Sequence, residues 1–165
     1  MGWDLTPSSL YQIISVVGRR YPDLAIHVTE SGCADPADLD DQLRVRYLVG
    51  CLGAVERANR DFSATHPPAA PKVRTYTYWS LMDNFEWAEG RRPKFGLART
   101  DYDTMDRTPR RSMEMLRHVI ARHDAVQRVR KWGRKSETAG GKVSLKRKGS
   151  SPARSPARSP ARNGR

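Results

Sequence analysis

Apolar positions along this chain fall into two patterns, one at helical spacing and one in short continuous runs. Thr6-Pro7 is followed by Leu10, Ile13, Ile14 and Val17, which predicts an amphipathic helix ending near Gly18. Thr6 is placed to accept a free backbone N–H, and Pro7 suits the first helical position. After the turn Tyr21-Pro22-Asp23 comes LAIHVTESG, residues 24–32, whose apolar start predicts a buried strand over 24–29. Glu30 stands where that strand should stop. CADPADLDD (33–41) reads as an acidic, turn-rich loop. Leu43, Tyr47, Leu48, Cys51, Leu52, Val55 and Ala58 predict a long helix from about Leu39 to Asn59 with one apolar face. THPPAAP (65–71) is a loop by its prolines, and VRTYTYW (73–79) is a second strand by its β-branched and aromatic content. Residues 80–107 read as a long loop with short pieces of structure. Thr108-Pro109 repeats the helix-start signal, and Met113, Leu116, Val119, Ile120 and Val126 carry that helix to about Val129.

Helices and strands thus alternate, which points to βα units with parallel strands. Two strands do not make a parallel sheet covered on both faces, so the segment reads as part of something larger. In parallel α/β architectures, sites form at the carboxyl ends of strands. One strand ends here in Glu30 and the other in Tyr78-Trp79, leading into SLMDNFEWAEG. Both ends should contribute to one pocket holding carboxylates and indoles. That combination suits a sugar, whose C–H faces lie on aromatic rings and whose hydroxyls donate to carboxylates.

These stretches also resemble a known family. VTESG (28–32) is similar to the ITENG motif of glycoside hydrolase family 1, the β-glucosidase family. YWSLMDNFEWAEG (78–90), KFGL (94–97), the opening MGW and TPRRS (108–112) resemble further segments of it, in the family's order over about residues 1–120. The resemblance implies a C-terminal portion of a (β/α)8 barrel, with 24–29 and 73–79 as the seventh and eighth strands. It implies that Glu30 is the catalytic nucleophile of a retaining reaction on terminal β-D-glucosyl O-glycosides, without metal or cofactor. Trp79, Glu86 and Trp87 match residues that hold the nonreducing sugar, and Phe95 matches an aromatic of the pocket wall. Asp83 and Asn84 read as groups that structure the loop, and His27 as a hydrogen-bonded core or barrel-interior residue.

Some residues depart from the family pattern. Ser31 replaces an Asn, Cys51 stands where a His is common, Arg91-Arg92-Pro93 replaces Tyr-Ser-Lys, and Ala98-Arg99-Thr100 replaces an apolar VYV. The family's acid/base glutamate lies in an NEP motif, and no NEP occurs in these 165 residues. The expectation is a chain that carries the nucleophile and is inactive alone. Its expected partners are a β-glucoside substrate and, for activity, a complementing N-terminal half.

Charge adds a boundary to this picture. Residues 1–127 hold 17 Lys/Arg and 17 Asp/Glu, so the formal net charge of +12 resides in residues 128–165. The expected organisation is a barrel segment over 1–130 and a disordered Lys/Arg-rich tail over 131–165, with SPAR three times in succession at 151–162. Nonenzymatic, weak and sequence-independent nucleic-acid binding through this tail is the competing function. Cys33 and Cys51 are too few for a disulfide framework and lack metal-ligand spacing. No apolar run approaches a membrane span, and the opening residues lack signal-peptide order, so the expected location is cytoplasmic.

Overall fold

A computed structural model describes residues 4–65 and 72–139 of the chain. The contacts divide it into residues 1–125 and 126–165. In the first unit, helix α1 (Pro7–Arg20) leads to strand β1 (Ile26–Ser31), helix α2 (Gln42–Thr65) and strand β2 (Val73–Tyr78). Two three-residue strands follow, β3 (Ala98–Thr100) and β4 (Arg107–Pro109), and then helix α3 (Arg111–Ala139). In the second unit, the described residues are the continuation of α3. Residues 66–71 of the expected proline loop and residues 140–165, with the SPAR repeats, lie outside the described residues.

β1 and β2 pair in parallel, as the alternation of elements requires of strands joined by a crossover helix. Ile26 is opposite Val73 and Ser31 is opposite Tyr78, so both strands end at the same edge. The core lies on one face of this pair. Ile14 of α1, Ala58 of α2 and Val73 of β2 are buried together, with Leu10, Tyr11, Ile26, Val28, Val55 and Phe62 packed against them. Asn59 extends the start of β2: its amide accepts from Val73 N (2.7 Å) and donates to Val73 O (3.1 Å), as a neighbouring strand would.

Several expectations need correction. Thr6 makes no side-chain cap, and its carbonyl instead accepts from Ser9 N at 3.0 Å. Leu24 is exposed, and β1 begins at Ile26 and runs past Glu30 to Ser31. Thr108-Pro109 does not start a helix. These residues form β4, antiparallel to β3, and α3 begins at Arg111. The signal is ambiguous because Pro also fits an edge strand, where its missing N–H costs nothing. The helix that follows runs to Ala139 instead of about Val129, so residues 131–139 of the expected tail are helical. Val119, Ile120 and Val126, read as its apolar face, are exposed.

The acidic loop 33–41 is the largest surprise. Asp35 and Asp41 are buried, as is Arg44 at the start of α2. Arg44 is paired with Asp41 and donates to the carbonyls of Asp35 and Lys94. Asp35 accepts from Ala37 N (2.9 Å) and Arg44 N (3.1 Å). Asp41 also reaches the first turn of α3, accepting from Ser112 N at 2.9 Å and from the Ser112 hydroxyl. A carboxylate there satisfies a free helix donor and faces the positive end of the helix dipole. The cap of α3 thus comes from a residue 71 positions away, which no local motif could announce.

Candidate active site

The end of β1 does not follow strict alternation. Ile26 and Val28 face the helices, so Glu30 would face them too if the pleat continued. The pairing with β2 is irregular between Val28 and Ser31. Across this irregularity, Ser31 is directed at Tyr47 and Cys51 of α2, and Glu30 is exposed. Bulges commonly re-aim a side chain in this way beside sites. Three groups hold Ser31 from behind. The Tyr76 hydroxyl donates to Ser31 Oγ at 3.1 Å, the Tyr47 hydroxyl lies at 3.5 Å, and Cys51 Sγ accepts from Ser31 at 3.8 Å. Ser31 and Cys51, the two departures noted in the motif and in α2, are therefore neighbours in space.

The end of β2 is locked to the end of β1. Trp79 N donates to Ser31 O at 3.1 Å. Gly32 admits this approach because it has no side chain: a Cβ there would lie 1.8 Å from the Trp79 carbonyl oxygen. We expect Gly32→Ala to destabilise the chain by at least the ~1–3 kcal/mol typical of overpacking. The clashing atom is backbone, so no rotamer change relieves it. A urea titration followed by tryptophan fluorescence measures the effect, and an unchanged midpoint would refute this account of the strand ends.

The segment after Trp79 is built around buried Asp83. Its carboxylate accepts from Gly96 N (2.9 Å), Thr100 N (3.3 Å) and both terminal nitrogens of Arg110 (3.0 and 2.9 Å). Burial acts to raise the pKa of Asp83, but the hydrogen bonds from Arg110, Gly96 and Thr100 outweigh it and hold the carboxyl below its ordinary value. Arg110 also donates to Gly96 O (2.8 Å) and Asp38 O (2.6 Å), tying both loops to the start of α3. The Trp79–Ser80 peptide bond is cis. The Ser80 hydroxyl donates to Met82 O (2.7 Å) and lies 3.3 Å from Asn84 Oδ1, and Asn84 Nδ2 donates to Glu86 Oε2 at 2.7 Å. Asp83 and Asn84 therefore structure the loop, as their side-chain chemistry suggests, and Glu86 is held by Asn84.

Trp87 follows at φ 46°, in the left-handed region that a bulky residue rarely occupies. A turn closed by Glu86 N to Gly90 O (2.7 Å) and Gly90 N to Trp87 O (3.1 Å) imposes it. Strain of this kind concentrates at ligand sites. The indole is 85% exposed.

The expected site residues are thus distributed unevenly. Glu30 and Trp79 stand at the same end of the parallel pair. Glu86 is half-buried and oriented, and Trp87 projects into solvent. Phe95 is 2% exposed, and its carbonyl accepts from Ser80 N at 3.3 Å. His27 bonds Thr75 Oγ1 at 2.9 Å on the open face of the sheet. The Cys33 thiol is pushed up to about 11 by burial, against the opposing effects of Arg44 and a hydrogen bond to Tyr78. Among the described residues, no cluster of His, Cys, Asp or Glu could hold a metal ion, and no helix is long and apolar enough to cross a membrane.

Sequence reasoning missed Asp35, Asp41, Arg44 and Arg110 as the groups that hold the site's loops. The only available signal was the density of Asp in 35–41, which usually marks a solvated turn.

The model of the family described as glycosyl hydrolase family 1 matches residues 1–125. The chain belongs to this family. It is 36% identical over 135 residues to a bifunctional β-D-glucosidase/β-D-fucosidase from Bifidobacterium breve, covering 76% of this chain and 28% of that protein. It is 40% identical over 103 residues to a β-galactosidase from Saccharolobus solfataricus, covering 62% of this chain and 19% of that protein. The fold matches a family 1 β-glucosidase from Thermotoga maritima with a TM-score of 0.64 and 31% identity, over 73% of this chain and 27% of that one. The family 1 chain described here therefore spans about a quarter of the length of such relatives, and it takes the fold of part of a (β/α)8 barrel enzyme.

Proposed function

We propose that this chain carries the nucleophile half of a retaining β-glucosidase site and has no glycosidase activity alone. What supports this reading is that Glu30 is exposed at the end of β1, where the pairing with β2 is irregular and Trp79 N bonds Ser31 O, while Ser31 itself is bonded to α2. Glu30 attacks the anomeric carbon of a β-glucosyl residue. A bond forms from a carboxylate oxygen to that carbon as the bond to the aglycone oxygen breaks, and water later hydrolyses the glycosyl-enzyme. The departing oxygen needs a proton from a second carboxyl about 5–5.5 Å from the first. No NEP motif in this chain supplies one, so that group and the rest of the barrel must come from elsewhere.

Glu86, oriented by Asn84, accepts hydrogen bonds from sugar hydroxyls, and the exposed indole of Trp87 donates to one. Trp79 provides the platform under the ring. A carboxylate at Glu86 would repel a phosphate on the sugar, which favours a neutral substrate such as a glucoside.

Release of nitrophenolate from p-nitrophenyl β-D-glucoside tests this reading. The chain alone should show no turnover above the buffer rate. Mixed with the preceding part of a family 1 relative it should gain turnover, and Glu30→Gln should lower that by roughly a thousandfold or more. Turnover by the chain alone that vanishes in Glu30→Gln would defeat the claim of inactivity. Turnover in the mixture that ignores Glu30→Gln would defeat the assigned role.

A further inference from the structure

The end of β1 is held by a hydroxyl whose bonding capacity is full. A serine hydroxyl has one proton and two lone pairs. Ser31 donates its proton to Cys51 Sγ of α2 at 3.8 Å. The Tyr76 hydroxyl of β2 donates to Ser31 Oγ at 3.1 Å, and the Tyr47 hydroxyl of α2 lies 3.5 Å from the same atom. Burial pushes both phenols up, so they keep their protons and serve as donors. The Ser31 carbonyl is engaged as well, accepting from Trp79 N at 3.1 Å. Cys51 is wholly buried, on the face of α2 that also buries Leu48, Ala54 and Ala58. A free thiol on such a face commonly packs as a small apolar group. Here it also accepts from a part-buried donor, and such a donor is costly to leave without a partner.

Two observations connect this cluster to Glu30. Glu30 is exposed, so its carboxylate is placed by the backbone that carries it, and that backbone is fixed one residue further on, at Ser31. The second is that two departures from the family pattern coincide in space. Ser31 stands where the motif has Asn and Cys51 where a His is common, and the two side chains are bonded to each other. Both changes shorten a polar side chain, and both fall on one contact. We propose that Ser31 and Cys51 form one positioning unit for Glu30. Cys51 takes the Ser31 proton, and Ser31, oriented in this way, fixes the end of β1 from which Glu30 projects. Cys51 thereby acts as a hydrogen-bond partner and not only as a packing residue of α2. The inference rests on the reading of Glu30 as the nucleophile, and its test does not depend on turnover.

Amide hydrogen exchange of the full chain, read residue by residue by NMR, tests this. The Trp79 amide, bonded to Ser31 O, reports the end of the strand pair where Glu30 stands. The Ile26 amide, bonded to Lys72 O at 2.8 Å, reports the other end. Ser31→Ala and Cys51→Ala should each speed exchange at Trp79 roughly tenfold or more relative to Ile26, because each leaves a buried polar group without its partner. Cys51→Ser keeps an acceptor and should restore the parent rate. In the Ser31→Ala background, Cys51→Ala should add nothing. Should Ser31→Ala fail to fold, Cys51→Ala against Cys51→Ser carries the same comparison. Equal acceleration at both ends, with a lowered urea midpoint, means that the contact serves global stability alone and overturns the proposal. A Cys51→Ala effect that persists without the Ser31 hydroxyl, or that Cys51→Ser does not relieve, also overturns it, since Cys51 would then act through packing. Failure of the proposed function is distinguishable: if the glucoside assay shows no role for Glu30, the nucleophile reading falls, while selective exchange at Trp79 still assigns the pair to the strand end.

Discussion

Arg110→Ala should lower the stability of the chain by about 3–5 kcal/mol, the usual result of removing one partner from a buried ion pair. Asp83 and Arg110 are almost wholly buried, and the guanidinium makes four hydrogen bonds, to the Asp83 carboxylate twice and to the carbonyls of Gly96 and Asp38. Alanine would leave the carboxylate charged in the interior and two carbonyls without their donor. Against a total of about 5–15 kcal/mol for an ordinary domain, such a loss is large enough to populate unfolded chains. The cause is charge more than lost contact, and this can be separated. Asp83→Asn combined with Arg110→Ala removes the uncompensated charge and keeps an acceptor for Gly96 N. The double variant should unfold at higher urea than Arg110→Ala alone. If the two substitutions simply add, the electrostatic account is wrong.

The same pair sets a pH dependence. Asp83 has its pKa lowered in the folded chain, because the hydrogen bonds from Arg110 and the backbone outweigh the effect of burial. A carboxylate with a depressed folded value contributes stability that is fully present above its unfolded pKa of about 3.9 and is lost as pH falls through the folded value. The chain should therefore lose stability on acidification below about pH 4, and the slope should be smaller in Asp83→Asn. Urea midpoints measured across that range decide the sign.

The second large effect is expected at Asp41, which is fully buried between Arg44 and the start of α3. Asp41→Ala removes the carboxylate partner of a guanidinium that is itself fully buried, and it takes away the acceptor for Ser112 N and the Ser112 hydroxyl. The first loss costs about 3–5 kcal/mol and the second about 0.5–2 kcal/mol. Asp41→Asn keeps an acceptor for the helix donor and loses only the charge, so it should fall between the two. A lowered urea midpoint in the order parent, Asn, Ala is the expected result. An Asn variant as unstable as the Ala variant would mean that the cap contributes nothing.

These substitutions all lie outside the residues expected to touch substrate, yet they bear on the site. Arg110 and Asp83 fix the loop that carries Asn84, Glu86 and Trp87. Arg44, through the carbonyl of Lys94, ties that loop's return to the loop after β1. The groups proposed to carry the chemistry, Glu30, Trp79, Glu86 and Trp87, are exposed or half-exposed, while the charges that hold the loops are buried.

The sequence by itself determined the order of the main elements, the parallel pairing of two strands, and the family. Helix and strand periodicities are local, and the motifs VTESG and DNFEWAEG are short enough to be recognised without a structure. It also determined that Glu30 and Trp79 would stand at the same end of the sheet, because parallel strands joined by a helix can end nowhere else. Tertiary structure alone decided that Glu30 is exposed. Strict alternation would have put it on the side of Ile26 and Val28, and the pairing with β2 is irregular there. Tertiary structure also decided that Phe95 is interior, that Thr108-Pro109 is strand, and that the acidic loop is buried. For the last two the deciding partner lies elsewhere in the chain: Ala98 for Pro109 and Ser112 for Asp41. A carboxylate read in isolation is a solvated charge. Only when folding brings a guanidinium and a helix terminus against it does its burial become favourable.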